Sequence, residues 1–307
     1  MPRAIILYEI DPSFGPNIIA EYYLKQDDKI SPTVLKEFSE KHDKKQLSDI
    51  TIREGDNRYF SKKINAESLE KENLYLSFIL QEEEDLVSLK SIFTNIEEHV
   101  IQNFTNDKVK MTQILNNAIH SVLTLMEKLK EPKIIKETIN ERTKKMLDDG
   151  KLSEARELID LGEDIPEKLA AEVKLAEELL IQELYRKAKK SFLKAAELAE
   201  LIQEEEIASF LENKGEQVGY FPDLIKEREI LFKDIDKILA NLEVSQLEMY
   251  NNFTEPIDRL IEISLTFEEH EFVDILTKLK NSTQRASKLA KELQGLDEKI
   301  RDLLKKI

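Results

Sequence analysis

Ala4-Ile-Ile-Leu-Tyr-Glu-Ile10 runs into Asp11-Pro-Ser-Phe-Gly-Pro16, and the chain then resumes with Asn17-Ile-Ile-Ala-Glu-Tyr-Tyr-Leu24. The first segment places Ile5, Leu7 and Glu9 on one face and Ala4, Ile6 and Tyr8 on the other. It is apolar on both faces for most of its length, the pattern of a strand in the middle of a covered sheet. The turn that follows is the densest cluster of Pro, Gly, Ser and Asp in the chain, so the two flanking segments form a hairpin.

Working outward, Ser31-Pro32 opens a short helix in the favoured order of cap then proline, with Val34, Leu35 and Phe38 as its apolar stripe. Gln46–Arg53 and Asn57–Ile64 flank Glu54-Gly55-Asp56, a second hairpin. In Asn73–Gln81, Leu74, Leu76, Phe78 and Leu80 alternate with Tyr75 and Ile79, a fifth strand. Glu82–Asp85 then place acidic residues at the positive end of a helix striped by Leu86, Leu89, Phe93, Ile96, Val100 and Phe104. A further helix, capped by Asn106 or Asp107, carries Met111 to Leu129 and ends at Pro132. The predicted order is β-β-α-β-β-β-α-α: an α+β domain over residues 1–131 with a five-stranded antiparallel sheet and helices on its faces.

That order, and the opening Ala4-Ile-Ile-Leu-Tyr-Glu-Ile-Asp-Pro-Ser-Phe-Gly-Pro16, resemble a longin domain of the roadblock–longin fold group. The resemblance rests on topology over the first 130 or so residues; a profilin-like α+β domain shares the strand order. It implies a non-catalytic head that binds a protein partner such as a small GTPase or a trafficking-type component. The Lys- and Ile-rich composition without cysteine fits an archaeal relative. In heads of this kind the region between the first helix and its neighbouring strand is a docking surface. Val34, Leu35, Phe38, Ile50 and Ile52 are therefore expected to line a shallow apolar groove, with Lys45 and Arg53 as its polar rim.

The remainder reads as helical, with a scaffold over 132–256 and amphipathic coiled-coil helices over 257–307. Gly150 and Gly162 are expected to end helices, Pro166 to start one running to about Leu201, and Gly219-Tyr-Phe-Pro222 to make a break. Leu152-x-x-Ala155-x-x-x-Ile159-x-x-Gly162 recurs 33 residues on as Tyr185-x-x-Ala188-x-x-x-Phe192-x-x-Ala195. Small residues at those places let helices approach, as in tetratricopeptide (TPR) repeats, although no third copy follows at that period; a plain antiparallel bundle fits equally.

The last segment is the most periodic. Phe272, Ile275, Leu279, Ser282, Ala286, Leu289, Leu293, Leu296, Ile300, Leu303 and Ile307 alternate three and four apart between charged flanks, a coiled-coil seam. Three uses are open: an intramolecular seam, a homo-oligomer, or a SNARE-like bundle strand. The last lacks a Gln or Arg on the seam.

Composition bounds the chemistry. The 307 residues include no cysteine, which removes thiolate metal sites, disulfides and cysteine nucleophiles. Glycine (7) and proline (8) are too few for collagen-like or low-complexity chains, and charged residues reach 35% against about 25% in an average protein. With 46 basic and 62 acidic residues the net charge is −16, so nucleic acid is not an expected partner. Arg186-Lys187-x-Lys189-Lys190 is the sharpest basic run. No Gly-rich phosphate loop, Ser nucleophile elbow or His-Glu-x-x-His motif occurs. The histidines His42, His99, His120 and His270 are dispersed, and Glu268-Glu-His-Glu271 cannot converge on one ion from adjacent helical positions. The expectation is a cytoplasmic adaptor or scaffold with no enzymatic activity and no cofactor, with no direct membrane insertion, or alternatively a structural or tethering protein assembled through its C-terminal coil.

Overall fold

In the computed structural model the chain is described over residues 2–11, 13–25, 29–44, 47–55, 57–69, 71, 73–81, 86–240 and 247–305. Strands β1 (Ala4–Asp11), β2 (Gly15–Tyr23), β3 (Asp49–Glu54), β4 (Asn57–Lys63) and β5 (Leu74–Gln81) form one antiparallel sheet in the order β2-β1-β5-β4-β3. Helix α1 (Pro32–Ser39) intervenes between the two hairpins, and α2 (Leu86–Gln102) and α3 (Lys108–Lys130) follow the sheet. The order predicted from the sequence is the order observed. The acidic run 82–85 lies outside the described residues.

The two faces of the sheet carry different cores. On one face Ala4, Ile6, Tyr8, Ile50, Ile52, Tyr75 and Ile79 pack with Val34, Leu35 and Phe38 of α1. On the other, Ile5, Leu7, Phe60, Leu76 and Phe78 pack with α2 and α3, and Phe93 meets Phe60 and Phe78 edge-on at 5.9 and 6.2 Å. The helix starts are capped as their sequences suggest. The Ser31 hydroxyl accepts from the Val34 amide at 3.2 Å, and the Asp107 carboxylate accepts from the amides of Val109 and Lys110 at 2.9 and 3.3 Å.

Four long helices follow: α4 (Pro132–Asp148), α5 (Leu152–Ile181), α6 (Tyr185–Leu201) and α7 (Glu205–Ala240). Several expected boundaries are corrected here. Gly162 and Pro166 lie inside α5, and Pro222 lies inside α7. Gly162 is a packing residue rather than a terminator, because a Cβ there would sit 2.9 Å from Cγ2 of Ile139 on α4. Pro166 leaves only the Gly162 carbonyl without its helical donor, a local loss that the buried contacts of α5 outweigh.

The breaks fall at left-handed residues instead. Gly150, Glu183 and Gln203 have φ of 78°, 58° and 59°. After each, the next amide reaches back five residues: Lys151 to the Met146 carbonyl at 2.8 Å, Leu184 to Leu179 and Glu204 to Ala199 both at 2.9 Å. This is one Schellman turn used three times here and again at Glu268, after which the Glu269 amide reaches the Ser264 carbonyl at 2.9 Å. Five and twelve residues after Gly150, Glu183 and Gln203 stand Ala155 and Gly162, Ala188 and Ala195, and Ala208 and Gly215, all buried. The motif found twice in the sequence therefore has a third copy, reached after a shorter helix. The TPR reading fails for the same reason: the 33-residue interval holds one helix and a turn, not a helix pair.

By packing, the chain divides into Met1–Pro222 and Asp223–Ile307. The boundary expected at 131/132 lies inside the first unit, whose core continues from Ile5 through Leu129, Ile139, Leu169 and Phe192 to Val218. A buried carboxylate helps to join its parts. Glu204, 3% exposed, opens α7 and pairs with Lys128 of α3 and Arg142 of α4, each at 2.8 Å, while Arg142 also donates to the Gln203 carbonyl at 2.6 Å. The second unit holds the end of α7, a 3₁₀ turn at Leu247–Phe253, α8 (Thr254–Thr266) and α9 (His270–Leu304), with a core of Ile257, Leu260, Ile261, Ile263, Val273 and Leu276.

Glu204→Gln keeps the size of the side chain and removes the charge that both cations face. We expect a loss of roughly 1–3 kcal/mol, because the cations keep partial access to water. Urea unfolding of residues 1–222 measures it as a lower midpoint at unchanged slope; an unchanged midpoint removes Glu204 from the joint.

Candidate functional site

The residues expected to form a docking groove are placed differently from that expectation. Val34, Leu35, Phe38, Ile50 and Ile52 are all buried, Phe38 completely, in the core between α1 and the sheet. As core side chains they present no surface to a partner in this conformation. The reason is that α1, although short, packs on the sheet beside β2, with Phe38 stacked 6.2 Å from Tyr8 of β1, and uses its whole apolar stripe there. Arg53 is exposed on edge strand β3, and Lys45 lies outside the described residues.

Beneath α1 the sheet holds a polar chain that the sequence did not announce. A π-helical turn at Glu40–Lys44 directs His42 inward, where it is 5% exposed. Its Nδ1 lies 2.7 Å from the Leu47 carbonyl, which can only accept, so Nδ1 carries the proton. Nε2 then accepts from the Ser61 hydroxyl at 3.0 Å, and Ser61 Oγ accepts from the Tyr8 hydroxyl at 2.6 Å. The Tyr75 ring lies over the imidazole with centroids 4.4 Å apart. Burial lowers the His42 pKa to about 4 and pushes the Tyr8 phenol up. A serine accepted by a neutral histidine is the chemistry of an activated nucleophile. Here Ser61 and Tyr8 are completely buried, so no solvent-borne substrate reaches the oxygen; the chain satisfies polar groups inside the core.

A second buried polar group lies among the helices. Lys214 of α7, 1% exposed, donates to Ser88 of α2 at 2.8 Å, and its ammonium sits 4.9 Å from the Phe192 ring centre. Beside it a cavity of about 450 Å³ is walled by Met126, Leu129, Val173, Phe210 and Leu211. The basic run on α6 is partly spent within the fold, since Lys189 pairs with Glu216 at 2.6 Å. At the turn before α9, Glu269 pairs with Arg228 at 2.7 Å and Glu268 adopts a φ of 59°. Among the described residues no group of three or more His, Asp or Glu could hold a metal ion.

The surface that stands out is α9. Its own unit buries Val273, Leu276, Thr277, Thr283, Ser287 and Ala290, a stripe rotated away from the coiled-coil seam. Of the seam, Phe272 is half-buried with its ring 6.0 Å from that of Phe232. Ile275, Leu279, Leu289, Leu293, Leu296, Ile300 and Leu303 are exposed, Leu293 at 61% and Leu296 and Ile300 at 55% each. Within its own unit α9 packs against α8 and the 3₁₀ turn through the neighbouring face, and the seam beyond Phe272 is not used there. The described part of α9 beyond Ala290 has no fully buried residue. Large exposed apolar side chains in one line mark an interaction surface in a folded protein. No helix among the described residues is long and apolar enough to cross a membrane. No family model, curated protein or solved structure matches the chain.

The buried histidine generates a pH test. Above about pH 6.5 His42 is neutral whether the chain is folded or not, and its contribution is intact. As pH falls the unfolded chain binds a proton that the folded chain refuses until about pH 4. Stability should fall through this window by up to about 1.4 kcal/mol per pH unit from this group. In urea titrations between pH 6.5 and 5, His42→Gln should show a shallower slope by about one proton. Equal slopes would show that His42 is protonated in the core.

Proposed function

We propose that the chain is a non-enzymatic adaptor or scaffold that acts by binding other proteins. The observation that carries this reading is the uncovered line of leucines and isoleucines on α9, from Ile275 to Leu303. Soluble chains rarely leave such a line in water unless something covers it. Assembly or tethering through that helix is the form of the reading that this observation favours.

The head supports the same class of function. Its sheet order β2-β1-β5-β4-β3, with one helix on one face and two on the other, resembles the longin arrangement, whose heads bind small GTPases and trafficking-type proteins. With the α1 stripe consumed by the core, a surface open to such a partner is the edge strand β3, exposing Arg53 and Glu54. An edge strand offers unpaired backbone groups to an added strand.

Two measurements test the reading. Purified small GTPases, loaded with GDP or a GTP analogue, are titrated onto the immobilised full chain. Binding that depends on the nucleotide supports the head as the partner site, and no binding in either state removes GTPases. Leu296→Lys is the test of the α9 surface. As an exposed residue it should leave the stability of the dilute chain within about 0.5 kcal/mol. A loss of several kcal/mol would instead place Leu296 in a core and end the surface reading.

A further inference from the structure

The seam on α9 has a register, and its flanks carry charges in fixed places. With Leu289, Leu296 and Leu303 at one seam position and Ala286, Leu293 and Ile300 at the other, Arg285, Glu292 and Lys299 flank the seam on one side and Asp297 on the opposite side. These charges are exposed and set which arrangement of two such helices is favoured. In a parallel pair Glu292 of one copy lies against Asp297 of the other, acid on acid, twice. In an antiparallel pair the flanks of one side meet each other. When Leu293 faces Leu296 of the second copy, Glu292 meets Lys299 of that copy, again twice. Sliding this pair by one heptad one way brings Glu292 against Glu292 and Arg285 against Lys299; sliding it the other way brings Lys299 against Lys299 and leaves Glu292 and Leu289 to Lys306 and Ile307, which lie outside the described residues.

We infer that α9 is covered by α9 of a second copy of this chain, antiparallel, with Leu293 against Leu296 at its centre. This rests on the reading of α9 as an interaction surface and names its occupant. The same pairing puts Leu289 against Ile300 and Ala286 against Leu303, so every large seam residue beyond Ala286 is buried. Five side chains per copy, each more than half exposed in the single chain, remove on the order of 1,000 Å² from water on pairing. That is the size at which specific interfaces begin. The pairing also accounts for a helical end that is otherwise unsupported. Residues 291–304 contain Gly295 and bury no residue in their own unit, and a helix of that length without packing is marginal in water. The face used by α8 and the 3₁₀ turn runs along the Asp297 flank of the seam and its buried residues end at Ala290, so the pairing from Glu292 to Leu303 lies beyond it.

Sedimentation equilibrium of the full chain at tens of micromolar should give twice the monomer mass. Glu292→Lys and Lys299→Glu should each weaken association about tenfold, since each turns two attractive pairs repulsive, and the double variant should restore it. In a parallel pair Glu292→Lys would instead tighten the dimer by placing Lys against Asp297. A tighter Glu292→Lys dimer, or a double variant as weak as the singles, overturns the antiparallel register. A wild-type chain that remains monomeric overturns the second copy as occupant. If that monomer binds a purified partner protein, and Leu296→Lys abolishes the binding, the seam remains an interaction surface with a different occupant.

Discussion

Strands β1 and β5 lie in the middle of a sheet that is covered on both faces, and the rest of the first unit is arranged to keep them covered. Both strands are apolar on both sides, so neither face can be left to water. The α2–α3 face receives the larger layer, with Phe93 against Phe60 and Phe78. The other face is left to a single eight-residue helix, α1. A helix that short must use every apolar residue it has, which is why Val34, Leu35 and Phe38 are core rather than groove. The same shortage explains the polar chain beneath it. Tyr8, Ser61 and His42 fill volume that α1 does not reach, and they do so at low cost because each is hydrogen-bonded to the next.

The helical part of the first unit obeys a different constraint. Its helices turn on Schellman motifs, and small residues at set distances from each turn let the next helix come close. Where closeness matters most, glycine is used inside a helix: Gly162 against Ile139, and Gly215, whose Cβ would stand 3.1 Å from Cβ of Phe192. Glu204 then links α3, α4 and the start of α7 through two cations. Its burial makes this a joint that depends on all three groups being present, in contrast to the exposed i, i+4 pairs elsewhere on the surface.

The second unit is where burial stops short. α8 and the 3₁₀ turn cover one side of α9 as far as Ala290, and the seam on the adjacent side stays in water. The regular apolar line on α9 outside its own core is the observation on which the proposed association rests.

Much of the fold was legible in the sequence because burial there follows local periodicity. The alternation in Ala4–Ile10 and Asn73–Gln81 marked central strands, and Ser31-Pro32 and Asp107 marked helix starts through backbone chemistry within three residues. Helix ends in the second half were not legible. Gly162, Pro166 and Pro222 look like breakers, yet whether a glycine ends a helix or admits a neighbour depends on what packs against it. The actual ends at Glu183 and Gln203 carry no turn residue, because a long side chain tolerates a left-handed φ at about 1 kcal/mol when the surrounding helices hold it there. The repeat was visible in two copies only, since its spacing changes with helix length. The seam of α9 was equally visible as a pattern. Its exposure was not, because periodicity states which side chains line up and only tertiary packing decides which line α8 takes. The His42–Ser61–Tyr8 chain had no sequence signal at all: it joins a π-helical turn to two strands, and residues so far apart in the chain meet only through the register of the sheet.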